Sequence, residues 1–253
     1  MQAALIVVLI VIFMPIVLGP FAVKASFRIS RNFGINPLAA EGLSPGIKSY
    51  IDGARSDLES LGYSFIGYFS ILNFTPGLET FFGLFRNDGE KNGAMAAVIK
   101  TKQGKENRYI EFTTKSKDDY TINVNNAKTR GTQTNPNKKT CRFPKVTSIR
   151  QLCEINGWIV HHDEKAGFQD RLSPPGREID TLNTYMIRDL DAHVAAGYYY
   201  LDTSSQEYLL TWKGAFVFTE SNAFPVKNIL AWLDERRAQK AIAGMPERRD
   251  FKA

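Results

Sequence analysis

The chain has 253 residues and a formal net charge of +6. Behind an apolar N-terminal stretch lie about 230 residues, enough for one ordinary domain with its own core, and no internal repeat or low-complexity run divides them. The two cysteines, Cys141 and Cys153, exclude a disulfide-built scaffold, and their spacing matches no zinc pattern.

Residues 1–23 carry no charged side chain, and residues 3–13 are apolar all round. A helix needs about 20 such residues to cross about 30 Å of hydrocarbon. The expectation is therefore an N-terminal transmembrane helix over 1–23, with the lipid bilayer as the partner of residues 3–23. Lys24, Arg28 and Arg31 follow at once, and the first acid is Glu41. The positive-inside rule then predicts a single-pass membrane protein with its C-terminal domain in the cytoplasm. The alternative is export after signal cleavage before Ser26. The missing basic n-region and the length of the apolar run favour the anchor.

Residues 24–43, with Gly34, Pro37 and Gly42, read as a juxtamembrane linker. Ser44-Pro45 opens a helix, a hydroxyl cap followed by proline at the first helical position. Ile47, Ile51, Ala54, Leu58 and Leu61 share one face of it, and Gly62 ends it. Strand-type segments follow at 63–71, 80–85, 94–100, 108–114 and 119–124, joined by short turns that favour antiparallel neighbours. In the last, Tyr120, Ile122 and Val124 share a side. Residues 125–146 are polar and aperiodic, and read as a loop.

Helices are predicted near 148–156 and 177–196, the second with Ile179, Leu182, Met186, Leu190 and Val194 on its apolar face. A hairpin over 198–211 and a helix from Pro225 complete the domain. The predicted architecture is α+β, residues 44–245: an antiparallel sheet of about five strands, flanking helices and a C-terminal hairpin-plus-helix element. A charged tail, 246–253, ends the chain.

Candidate chemistry is scattered. His161-His162-Asp163-Glu164 are adjacent, so their side chains diverge and cannot share one metal. His193 falls on the apolar face of its helix, where a hydrogen-bonded core histidine is the ordinary case. Arg142 and Lys145 flank Cys141, which makes it the better thiolate of the two. Phosphate-loop, dinucleotide, serine-hydrolase and zinc-protease motifs are absent, and no cofactor or metal is predicted. Between Asp119 and Glu154 there is no acid. Lys128, Arg130, Lys138, Lys139, Arg142 and Lys145 in that interval are predicted to contact anionic lipid headgroups or phosphate, each worth about 1 kcal/mol near an anionic leaflet.

Gly197-Tyr198-Tyr199-Tyr200-Leu201, followed by Leu210-Thr211-Trp212-Lys213-Gly214, resembles the wing hairpin of bacterial winged-helix regulators. The resemblance implies a hairpin whose Leu-Thr-x-Lys-Gly sequence opens the next helix. The preceding helix departs from those regulators, since Glu178, Asp180, Asp189 and Asp191 outnumber Arg177 and Arg188 and would repel nucleic-acid phosphates. The leading expectation is a membrane-anchored interaction or accessory protein with an unknown protein partner. The alternatives are a membrane-tethered enzyme with a site around His161, His162, His193 or Cys141, and a membrane-tethered winged-helix-like regulator.

Overall fold

Period-two alternation in the first half of the chain builds a broad sheet. The computed structural model describes residues 14, 16–72, 74–75, 77–116, 120–129, 135–163 and 173–245. Strands β2 (Gly34–Leu38), β3 (Ser64–Leu72), β4 (Leu78–Asn87), β5 (Asn92–Thr101), β6 (Glu106–Lys115), β7 (Thr121–Asn125) and β8 (Lys138–Arg142) lie side by side in chain order. Neighbours are antiparallel from β2 to β7, while β7 and β8 run parallel. Tight turns make antiparallel pairs, whereas a parallel return needs about a dozen residues or more. The polar segment after Asn125 supplies that length. What reads as a loop over 125–146 thus contains an edge strand, and the sheet has seven strands rather than about five.

One face of this sheet is covered by α2 (Pro45–Ser60) and α3 (Ile149–His161). Ile47, Ile51 and Leu58 of α2 are buried, as their spacing predicts. Leu58 joins Phe85, Phe112, Ile122 and Val124 of the sheet and Leu152 and Ile155 of α3 in one apolar cluster. The other face meets α4 (Glu178–Ala195) and a three-stranded sheet of order β1-β10-β9, built from β1 (Arg28–Ser30), β9 (Tyr199–Asp202) and β10 (Glu207–Leu210). Phe69, Ile71, Phe82 and Ala97 pack there with Leu190, Tyr208 and Leu210. Helix α5 (Trp212–Asn222) follows β10, and α6 (Val226–Ala243) packs beside β8, with Ala238 and Ile242 joining the cluster of α2 and α3. Gly214 in α5 is dictated by packing: a Cβ there would lie 2.0 Å from the Tyr198 carbonyl oxygen.

The N-terminal transmembrane helix requires correction. Residues 16–26 are helical (α1), and no helix among the described residues is long and apolar enough to cross a membrane. Residues 1–13 and 15 of the expected span lie outside the described residues. The described part is engaged with the domain. Gly19 sits against Thr219, where a Cβ would approach to 2.4 Å, and the Phe21 ring meets Trp212 at 5.0 Å. The Lys24 ammonium donates to the Leu210 carbonyl at 3.0 Å. A helix that docks on a protein surface can be as apolar as one that enters lipid, so hydropathy alone misleads here. The single-pass membrane localisation falls with the span, and with it the cytoplasmic orientation inferred from its flank. Residues 24–43, expected as a linker, contribute β1 and β2 to the two sheets.

Candidate functional site

The polar half of the sheet points at α4. In β6 and β7, Ile110, Phe112, Ile122 and Val124 face the helical layer. Their neighbours Tyr109, Glu111, Thr121, Asn123 and Asn125 therefore face the opposite way. All five residues of β7 are buried. A strand covered on both faces is ordinarily apolar on both, yet here one face is Thr, Asn and Asn. Burying such groups is costly unless they are hydrogen-bonded.

Tyr109, Glu111, Asn123 and Asn125 line a cavity of about 630 Å³ between the sheet and the α4 layer. Glu111, Asn123, Asn125 and Lys138 come from the sheet, and Asp189 and His193 from α4. Arg142 of β8 and Asp234 and Arg237 of α6 form another part of its wall.

Glu111 lies at the centre of the hydrogen bonding. Its carboxylate accepts from Asn123 Nδ2 at 3.0 Å and from Asn125 Nδ2 at 2.9 Å. The carboxyl group touches the cavity but is surrounded by protein, and this burial raises its pKa above the usual carboxylate value, with Lys138 opposing. Burial also disfavours the Lys138 ammonium, but Tyr185, Asp189 and Glu111 outweigh it, so its pKa is raised and it stays charged. Lys138 Nζ lies 3.7 Å from Asp189 Oδ2 and 5.3 Å from the centre of the Tyr185 ring. Asp189 Oδ1 accepts from Asn135 Nδ2 at 2.7 Å, and its Oδ2 lies 3.9 Å from His193 Nε2.

His193 is buried, and burial pulls its imidazole below the ordinary value, with Asp189 opposing and Lys138 reinforcing. It is therefore neutral near pH 7. Two buried atoms of this group have no hydrogen-bond partner: Asn123 Oδ1 and His193 Nδ1.

The six predicted cations are distributed differently. Lys138 enters the cavity, whereas Lys128 is exposed and Arg130 lies outside the described residues. Lys139 pairs with Asp163 at 2.5 Å, Arg142 with Asp234, and Lys145 with Glu235. His161 and His162 are exposed at the end of α3, and the His162 ring stacks on Trp158 at 4.6 Å. Glu164 lies outside the described residues. Burial raises both cysteine thiols above their ordinary value, so neither is held as a thiolate. Among the described residues no three His, Cys, Asp or Glu side chains come together to hold a metal.

Sequence reasoning singled out His193 and Lys138 but passed over Glu111, Asn123 and Asn125, which look like a solvent face. The available signal was the motif Thr121-Ile122-Asn123-Val124-Asn125, since asparagine is depleted in strands unless it has a local reason to be there.

The hairpin and helix expected over 198–214 are present. β9 and β10 form the hairpin, and Thr211 caps α5 by accepting from Gly214 N at 3.0 Å. The exposed stripe of α4, however, is Asp180, Thr184, Arg188, Asp191 and Ala195, with two acids against one base.

The fold and cavity define an α+β protein with a polar pocket between a seven-stranded sheet and its covering helix. Comparison with protein-family models, with curated proteins and with solved structures gives no match.

Proposed function

We propose that the protein binds a small polar molecule in the cavity of about 630 Å³ and performs acid–base chemistry on it. Glu111 and His193 handle protons and Lys138 is a fixed cation. The observation that carries this reading is the convergence of Glu111, Asn123, Lys138, Asp189 and His193, drawn from β6, β7, β8 and α4, on one cavity. The shifts run in complementary directions: burial favours the proton-bearing form of Glu111 and the neutral imidazole of His193. Six protein groups of both charges around one space of this size also fit a small-molecule site better than a structural core.

The test is calorimetric screening of a panel of hydroxy acids, amino acids and sugars against the wild type and Asn123→Leu. Ligands that bind the wild type should lose at least about tenfold in affinity in Asn123→Leu, equivalent to about 1.4 kcal/mol. Glu111→Gln should retain binding and lose turnover of the ligand found. Equal affinity in Asn123→Leu, or no binding by any member, refutes the reading.

The interaction-protein reading retains one observation, the exposed rings of Phe21, Trp212 and Phe216. It is the weaker of the two because nothing on the molecule identifies what covers them.

A further inference from the structure

We infer that the ligand of the inner cavity is amphipathic: its polar head lies in that cavity, and a compact apolar group about the size of a phenyl ring fills a neighbouring pocket. This rests on reading the inner cavity as a ligand site. The pocket has a volume of about 130 Å³ and is walled by β4, β5, β6 and the first turns of α4. Leu84, Met95 and Leu182 are half-buried there, and most of the surface the pocket offers is carbon. An apolar cavity of about 150 Å³ holds benzene.

Strand register ties the pocket to the inner cavity. Leu84 pairs with Met95, Met95 with Glu111, Glu111 with Asn125, and Asn125 with Arg142. Cross-strand partners share a face of the sheet, so these five form a row that begins apolar and ends polar. Leu84 and Met95 line the pocket, Asn125 and Arg142 line the inner cavity, and Glu111 lines both. Helix α4 repeats the change. Leu182, Tyr185, Asp189 and His193 follow at steps of three and four, and so share its inner face. The first two line the pocket, and the last two line the inner cavity. Two independent rulers agree on the span. Met95 to Asn125 is two strand spacings, about 10 Å, and Leu182 to Asp189 rises about 10 Å along the helix axis.

The pocket can take an apolar group without disturbing charge. Arg86 and Glu178 on its wall pair with each other at 3.2 Å, and Arg86 also pairs with Asp88 at 2.6 Å. The Glu111 carboxylate is bonded to the Asn123 and Asn125 amides of β7, on the side of the inner cavity. An apolar group on the β5 side therefore leaves water without stripping any of these partners, at a gain proportional to its area. Selectivity among ligands then lies in the pocket, and the chemistry in the inner cavity.

The experiment uses the full chain and isothermal titration with matched pairs: alanine and phenylalanine, lactate and phenyllactate, methyl and phenyl glycosides. The phenyl member should bind at least about tenfold more tightly than its parent, with a more negative heat capacity of binding and an advantage that persists as NaCl is added. A naphthyl member should bind less tightly than the phenyl one, since two fused rings exceed the pocket. Gly93 lies on the same face as Met95, and a Cβ there would meet the Phe85 carbonyl oxygen at 3.6 Å, an ordinary contact. Gly93→Leu, whose thermal midpoint is measured alongside, should fill the pocket and remove the phenyl advantage while the parents bind as before. The size series on the wild type gives the same answer without a variant. Equal binding of phenyl member and parent overturns the inference. So does a naphthyl member that binds as tightly as the phenyl one, or an advantage that survives in folded Gly93→Leu. In those cases Asn123-dependent binding of the parents leaves the inner-site reading standing. No binding by any member overturns both.

Discussion

Arg142 provides the sharpest test of how the basic stretch is used. A cation in a solvated loop can be neutralised at a cost within about 0.5 kcal/mol. Arg142 instead forms an ion pair with Asp234 of α6, and the two side chains are only 10% and 14% exposed. Breaking a buried pair by removing one partner costs about 3–5 kcal/mol, because the remaining charge is stranded. Arg237 Nη1 stays 3.7 Å from Asp234 Oδ1 and compensates in part, which places Arg142→Met near the lower end, about 3 kcal/mol. For a chain of this size that is a fall in Tm of about 6–12 °C. Arg142→Met/Asp234→Leu should recover most of the loss, since an apolar pair of similar volume is often neutral or better. Urea denaturation of the four members of the cycle measures both effects. A single-variant loss under about 0.5 kcal/mol, or a double variant that merely adds the two losses, would show that α6 is not held to β8 in this way.

Other outcomes follow from the same geometry. Burial raises the Glu111 pKa, so its contribution is favourable below the ordinary carboxylate value, about 4.3, and is lost as pH rises through its higher folded value. Glu111→Gln should therefore be more stable than the wild type at pH 7, with the difference closing toward about pH 4 in a series of thermal melts. His193 has the opposite sign. Its lowered pKa gives stability that is complete above about 6.5 and lost as pH falls through the folded value, a loss absent from His193→Gln and readable in the same melts. Gly214→Ala drives a methyl group into the Tyr198 carbonyl. It should cost at least about 1–3 kcal/mol in denaturation, the range for overpacking. Leu58→Ala, at a position with no exposure, should cost about 2–5 kcal/mol.

Local signals in the sequence are legible where one face is buried and the other is wet. The cap and spacing of Ser44 to Leu61 locate α2, and the alternation around Ile110 and Ile122 locates the central strands. Three features are hidden for physical reasons. The β8 sequence Lys138-Lys139-Thr140-Cys141-Arg142 has no apolar period because it lies at a sheet edge, where charge is favoured as protection against stray pairing. The helix at 16–26 touches α5 and the small sheet through Gly19, Phe21 and Lys24, contacts that hydropathy does not distinguish from lipid. Glu111, Asn123 and Asn125 look like an ordinary outer face until α4, which is distant in sequence, is laid across them. The cavity exists only through that long-range contact, so no local pattern announces it. His193 is the exception: a histidine on an apolar helix face is visible in sequence, although its neighbours Asp189 and Lys138 are not.

The small sheet also constrains the order in which the protein can assemble during synthesis. β1 pairs only with β10, and Lys24 bonds to the carbonyl of Leu210, a sequence separation of 186 residues. At about 5–20 residues per second, the ribosome supplies that partner roughly 10–40 s after the N-terminal segment has been made. The turns from β3 to β7 are local and can close in that interval, with α2 already beside them. Ile29 lacks its strand partner Tyr208, and Phe27 lacks the Tyr199 and Phe218 rings it meets, until those residues are translated. A nascent chain arrested before β10 therefore holds β1 without the strand it pairs with, even when the local turns of the large sheet have closed.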